Sequence, residues 1–189
     1  MKKIFVIITV VSLVSCGVIN RMKSFSKCDF KLKSIENINL AGVKIKDLNS
    51  IDKLNFFELA KIAAAYSSKN LPLSLTVNIF ATNPNTSPAA MTKMDWILNI
   101  DSTQVANGTL NKRIDVPANG GSTTFPVEIK TDLMKFLNGQ LLESLQNLGI
   151  GLSGSNNKTN SRISFKVKPY ITIAGVSIPY PNYYTIDSM

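Results

Sequence analysis

Histidine is absent from all 189 residues, which removes the commonest general base, the commonest zinc ligand and any Ser-His-Asp arrangement. Acid-base work would fall to carboxylates or lysines. The carboxylates set among apolar runs, Asp95, Asp101 and Asp115, have a parity opposed to Trp96, Ile100 and Ile114. On a strand, opposite parity means opposite faces, so all three face solvent, with no burial to raise a pKa. The chain also lacks a Cys-x-x-Cys pair, an Asp-x-Asp-x-Asp-Gly loop and any run of clustered carboxylates, so no metal site is expected. Gly149-Ile-Gly-Leu-Ser-Gly154 matches a phosphate-cradling loop in composition only, because it follows a helix rather than a strand. No catalytic residue and no cofactor is expected, and the chain reads as a non-enzyme.

Acidic residues are scarce as well, 12 against 21 lysines and arginines, for a net charge of +9. Part of that excess lies near the start. Lys2 and Lys3 precede an apolar stretch from Ile4 to Val11, interrupted only by Thr9, which ends in Ser12-Leu13-Val14-Ser15-Cys16-Gly17. The pattern is that of a signal peptide over residues 1–15, too short for a stop-transfer helix. Leu13, Val14, Ser15, Cys16 and Gly17 resemble the bacterial lipobox. That resemblance implies that Cys16 becomes the acylated first residue of the mature chain, its thiol taking the diacylglyceryl group between the small residues Ser15 and Gly17. Acyl chains bury about 0.8 kcal/mol per methylene, so several of them make a lasting membrane anchor.

Removal of residues 1–15 takes away Lys2 and Lys3 and no acidic residue, lowering the net charge from +9 to +7. Residues 16–28 then read as a basic tether carrying Arg21, Lys23 and Lys27, followed by Lys31 and Lys33. Near anionic headgroups each charge adds on the order of 1 kcal/mol; alternatively the charges only keep the tether solvated. An exported chain does not meet nucleic acid, and its aromatic residues are not interleaved with its basic ones, so nucleic acid is not an expected partner. With Cys16 acylated, Cys28 has no partner for a disulfide and reads as a small buried apolar residue.

Residues 29–189 read as one domain. Phe30 and Leu32, Ile38 and Leu40, and Val43 and Ile45 form short alternating pieces of one or two strands. A helix follows, with Asn55 and Glu58 as a capping box, Leu54 and Leu59 as a staple, and an apolar stripe of Phe56, Leu59, Ile62, Ala63 and Tyr66 expected to pack on its own sheet. The stripe is otherwise a membrane- or partner-facing surface. Ser67 to Asn70 and then Pro72 end that helix. Leu73 to Ala81 alternates apart from Phe80, breaks at Asn83-Pro84-Asn85, and alternation resumes over Met94 to Ile100, with a turn expected at Asn107-Gly108. Leu110, Ile114 and Val116 lead to a Pro117-Ala-Asn-Gly-Gly121 turn, then to a strand through Phe125, Val127 and Ile129 whose Pro126 argues for a sheet edge. A second helix is expected from Asp132 to Leu148, capped by Thr131, followed by a Gly-, Ser- and Asn-rich loop to Asn160. Strands return around Phe165 and Val167 and across Tyr170 to Pro179, with a hairpin turn at Ala174-Gly175. The Pro179-to-Tyr184 tail covers one end of the sheet. Asp101-Ser102-Thr103 resembles a bacterial O-glycosylation acceptor, although a plain turn accounts for it.

The central order of motifs resembles the late embryogenesis abundant type 2 family, or WHy domain. The residues that carry the resemblance are Val77 to Asn83-Pro84-Asn85, Met94-Asp95-Trp96-Ile97-Leu98, Val105-Ala106-Asn107-Gly108, Val116 to Gly121, and Thr124-Phe125-Pro126-Val127. It implies a fibronectin type III-like or immunoglobulin-like antiparallel β-sandwich of about seven strands, here with two helices. It also implies a non-catalytic role linked to stress tolerance. Asn83, Pro84 and Asn85 are expected to be structural, since the residue before proline is held extended and asparagines at turns bond their own backbone; a polar ligand site is the other reading. The expected protein is an envelope lipoprotein on the periplasmic side of the outer membrane, Gly17 resembling the residue after the cysteine in such proteins. Its partners are the membrane and a lipid or envelope-protein ligand. The alternative is a lipid or fatty-acid carrier that holds an acyl chain between sheet and second helix.

Overall fold

The computed structural model describes residues 24–46, 54–100, 103–136, 163–173 and 176–187. The parity of the apolar residues decides its layers. In β3 (Pro72–Asn83) Leu75, Val77, Ile79 and Ala81 are buried. Phe125, Val127 and Ile129 do the same in β8 (Gly121–Asp132), as do Met94, Trp96, Leu98 and Ile100 in β5 (Lys93–Ile100). Each strand therefore has one face to remove from water, and two sheets with facing apolar sides accomplish it.

One sheet has the order β2-β1-β3-β8, with β1 spanning Asp29–Leu40 and β2 Val43–Ile45. The other runs β10-β9-β5-β6, where β6 is Thr103–Leu110, β9 Ile163–Ile173 and β10 Val176–Pro179; β11 (Tyr184–Asp187) also pairs with β9. A small ribbon joins β4 (Ala89–Met91) to β7 (Ile114–Val116). All pairings are antiparallel. The buried side chains of both sheets belong to one core cluster, in which Trp96 stacks on Phe165 at 5.8 Å between ring centroids. The described residues form eleven strands rather than about seven. The additional ones are pieces of three or four residues: a hairpin arm, the small ribbon, and β11, which begins at Tyr184 where the expected covering tail ends.

Local chemistry explains several details. The pieces expected around Asn37 to Asn39 are one strand, β1, interrupted by irregular pairing between Glu36 and Asn39, with Asn37 at φ 54°. Ala41 and Gly42, both at positive φ, give the two-residue loop whose twist suits the β1–β2 hairpin. Pro126 lies on β8, an edge strand, as its missing N–H requires. Asn107-Gly108 is not a turn but the middle of β6, paired with Ile97 and Trp96 of β5. The expected turn chemistry loses there to packing, because a Cβ on Gly108 would come within 2.5 Å of the Trp96 ring.

The helix α1 (Phe56–Ser67) begins with the expected capping box: Glu58 N–H donates to Asn55 Oδ1 at 3.0 Å and Asn55 N–H to Glu58 Oε2 at 2.9 Å. Its burial differs from the expectation. Only Ile62 is buried, while Phe56 and Phe57 are 79% and 78% exposed and Leu59 and Tyr66 also face out. Of the stripe only Ile62 joins the core, with Leu54 and Ala65 partly buried against it, so the helix touches the body along one narrow line.

The second helix, expected to start at Asp132 under a Thr131 cap, starts differently. Both residues end β8, and Asp132 caps a single 3-10 turn, Leu133–Lys135. Asp132 Oδ1 accepts from the N–H of Met134 and from that of Leu71, and Leu133 N–H donates to the Leu71 carbonyl, so the strand end is tied to the residue before β3. The rest of that expected helix, residues 137–148, lies outside the described residues, and so do the glycine-rich loop, the Ala174-Gly175 turn, Asp101 and Ser102. The acyl-chain groove would have had that helix as its wall.

Candidate functional site

Asn83, Pro84 and Asn85 leave β3 at one end of the sandwich, and the structure brings to them a motif that the sequence places more than thirty residues away. Asn83 is 0% exposed. Its Nδ2 donates to the carbonyls of Ser87 at 2.9 Å and Val116 at 3.2 Å. Its Oδ1 accepts from the Asn85 N–H at 3.0 Å and from Asn85 Nδ2 at 2.7 Å. A side-chain amide has two donor hydrogens and two acceptor lone pairs, so all four are used. The Pro117–Gly121 turn closes over the same spot, with Asn119 N–H donating to the Asn85 carbonyl and Gly120 N–H to that of Asn83, both at 2.8 Å. Asn119 and Gly120 have φ of 57° and 80°, and a Cβ on Gly121 would meet the Pro117 carbonyl oxygen at 2.7 Å. Tight left-handed backbone here explains the Asn-Gly-Gly sequence. The two turns form one knot with no hydrogen-bonding capacity left on the Asn83 amide for a ligand.

The knot also holds the first of the described residues. Asn85 Nδ2 donates to the Ser24 carbonyl at 3.0 Å. Phe25 is buried, 5.2 Å from the Phe30 ring and 5.6 Å from that of Tyr180, and Phe30 lies 6.3 Å from Tyr184. Tyr180 is buried too, and its hydroxyl donates to the Ala90 carbonyl at 3.2 Å; burial pushes its pKa up, aided by Tyr184 and Cys28. Four aromatic rings thus seal the end where the chain enters. The sequence alone extends the basic tether to residue 28, but Ser24, Phe25 and Cys28 are buried in the body. The signal was the spacing of Phe25 and Cys28, three apart with polar Ser26 and Lys27 between them.

Cys28 is a free, buried cysteine whose Sγ approaches the Ser24 carbonyl at 3.4 Å. Burial, then the neighbouring Asp29 charge, raises its pKa from 9.0 to about 11. Because the thiolate is the reactive form, native Cys28 is expected to react with Ellman's reagent at pH 8 at least ~100-fold more slowly than after unfolding in urea. Equal rates would place the thiol in solvent. The raised pKa also means that its contribution to stability is full below pH 9 and is lost as pH rises through about 11.

Of the other residues singled out from the sequence, Lys27 is exposed beside the knot. Leu13, Val14, Ser15, Cys16, Gly17, Arg21 and Lys23 lie outside the described residues. Asp95 faces outward as expected, yet it is engaged: Tyr170 OH donates to Oδ2 at 2.6 Å, Thr109 Oγ1 to Oδ1 at 2.7 Å, and Lys93 Nζ lies 3.6 Å away. Partial burial opposes ionisation, but these bonds and the Lys93 charge outweigh it and hold Asp95 below the usual carboxylate range. The same bond lifts the Tyr170 pKa to about 12. Asp115 pairs with exposed Arg113. Thr109 and Tyr170 reach Asp95 from the two neighbouring strands, as cross-strand pairs on a solvated surface do, while Lys93 and Arg113 are each two residues from their carboxylate along the chain. Among the described residues no group of three or more His, Cys, Asp or Glu side chains could hold a metal ion, and no helix is long and apolar enough to cross a membrane.

No family model matches the chain, and no curated protein matches it. Among solved structures, a crystal structure of a protein from Archaeoglobus fulgidus is similar with a TM-score of 0.39 and 16% identity, over 62% of this chain and 82% of that one. The solution structure of a protein described as late embryogenesis abundant (LEA) is similar with a TM-score of 0.37 and 11% identity, over 96% of this chain and 87% of that one. At such distances the strand order, and not the likeness, describes the architecture.

Proposed function

We propose that this chain is a non-catalytic, lipid-anchored protein of the bacterial envelope, with a LEA type 2-like domain of the fibronectin type III-like or immunoglobulin-like kind that binds or shields other molecules under stress. The observation that carries this reading is the knot. The Asn83-Pro84-Asn85 and Val116-to-Gly121 motifs, which make the resemblance in sequence, meet in space and spend their polar groups on the fold. That is the behaviour of motifs that define a scaffold, whereas catalytic groups stand in a cleft with perturbed pKa values. Absence of histidine and the engaged state of Asp95 support the same conclusion.

Anchoring rests on the Leu13-Val14-Ser15-Cys16 lipobox. The eight peptide steps from Cys16 to Ser24 reach at most about 28 Å, which keeps the body close to the bilayer, on the periplasmic side of the outer membrane in our reading. Cys16→Ser is expected to abolish incorporation of radioactive palmitate and to leave the leader uncleaved. Labelling equal to that of the unaltered chain would refute the anchor.

A further inference from the structure

We propose that α1 is a second membrane contact, lying in the headgroup region of an anionic bilayer with its outward face down. A soluble helix turns a polar, charged face to water, but the outward arc of α1 is largely apolar. With about 100° between successive residues, Phe56, Phe57, Ala60, Ala63, Ala64 and Ser67 occupy the arc opposite buried Ile62. All six are exposed, and none is charged. Leu59 and Tyr66, 41% and 40% exposed, widen the apolar arc, while the Phe56 and Phe57 rings sit edge to face at 6.0 Å, clear of the body.

Charge says what covers this face. Exposed Lys61 and Lys69 flank it on the helix and its C-terminal turn, and exposed Lys44 and Lys46 lie on and just after β2, the strand α1 touches. The one carboxylate of α1, Glu58, is engaged in the capping box. Aromatic rings projecting between lysines suit the interface of a bilayer containing anionic lipid, where the rings lodge among the acyl chains and the ammonium groups meet phosphate. At twelve residues, α1 is about 18 Å long, too short to span and long enough to lie flat. The proposal does not depend on acylation of Cys16.

The test uses the full chain carrying Cys16→Ser, so that no acyl group brings it to the bilayer, with Phe57→Trp in one protein and Glu128→Trp in another. Phe57 is exposed on α1 and Glu128 is exposed on β8, so neither change disturbs the core. Trp96, the only native tryptophan, is buried and supplies the baseline. With vesicles of phosphatidylcholine and phosphatidylglycerol whose acyl chains are brominated, the residue at 57 is expected to shift to the blue and be quenched several-fold more than the residue at 128. The effect should weaken in vesicles of phosphatidylcholine alone. The leader can hold the chain on the vesicle but does not choose the face turned to it. Equal quenching at the two positions would overturn the proposal. So would a concentration-dependent blue shift at 57 without vesicles, which would assign the face to a second copy of the chain.

Discussion

Asn83→Ala is expected to lower the free energy of unfolding by about 4 kcal/mol, read as a fall in the urea midpoint with an unchanged slope. The substitution removes few atoms, and its effect comes from what it leaves behind. The Ser87 and Val116 carbonyls and the Asn85 backbone N–H lose their bond to the side chain, and Asn85 Nδ2 keeps only the Ser24 carbonyl, at a position where Asn83 itself is wholly buried. Each stranded buried group costs about 1–3 kcal/mol. Asn83→Asp tests the same idea more finely: its oxygens can still accept from Asn85, but toward the two carbonyls it presents acceptors against acceptors, so it is expected to be at least as harmful. If Asn83→Ala unfolded within about 1 kcal/mol of the unaltered protein, the amide would be ornamental and the knot would need another explanation.

The second large effect is expected at Trp96 and Gly108. Trp96→Ala empties a site filled by an indole stacked on Phe165 and should cost about 3–5 kcal/mol. Gly108→Ala adds only a methyl group, but that methyl would lie 2.5 Å from Cζ2 and 2.9 Å from Cε2 of Trp96. Pinned between Phe165 and β6, the ring cannot swing away, so overpacking of about 2 kcal/mol is expected. The pair gives a sharper test than either change. Trp96→Phe shortens the side chain and makes room for the new methyl, so Gly108→Ala should cost at least ~1 kcal/mol less in that background. Strict additivity in chemical denaturation would show that the two sites do not touch.

These two positions also show which parts of the molecule could be read from sequence. Alternation in Leu73 to Ala81 and Met94 to Ile100 announces strands and their buried faces, because period two is a local property of the backbone. The Asn55–Glu58 capping box is equally local. Asn107-Gly108 misleads because the dipeptide usually means a turn, whereas Gly108 is there for a tryptophan on the neighbouring strand. The stripe on α1 shows which residues share a face but not what that face rests on. At the knot, the turn at Asn83-Pro84-Asn85 was legible and its structural role was expected. Its grip on Ser24 and on the Asn119-Gly120 turn was not, since each is a contact between distant parts of the chain.

The hydrogen bond from Asn85 to Ser24 has a mechanical consequence. If the chain is tethered at Cys16, a tug between envelope and domain reaches the described residues at Ser24. The first elements to resist are that bond and the buried Phe25 ring. Behind them, β1 is paired with β3 at nine positions, from Asp29 opposite Thr82 to Leu40 opposite Leu73. A pull along the strand loads those pairs side by side in shear, so they yield together at high force; a pull across it would open them one after another. A pull that enters through the knot therefore meets nine β1–β3 pairs, and along the strand axis it must break them together.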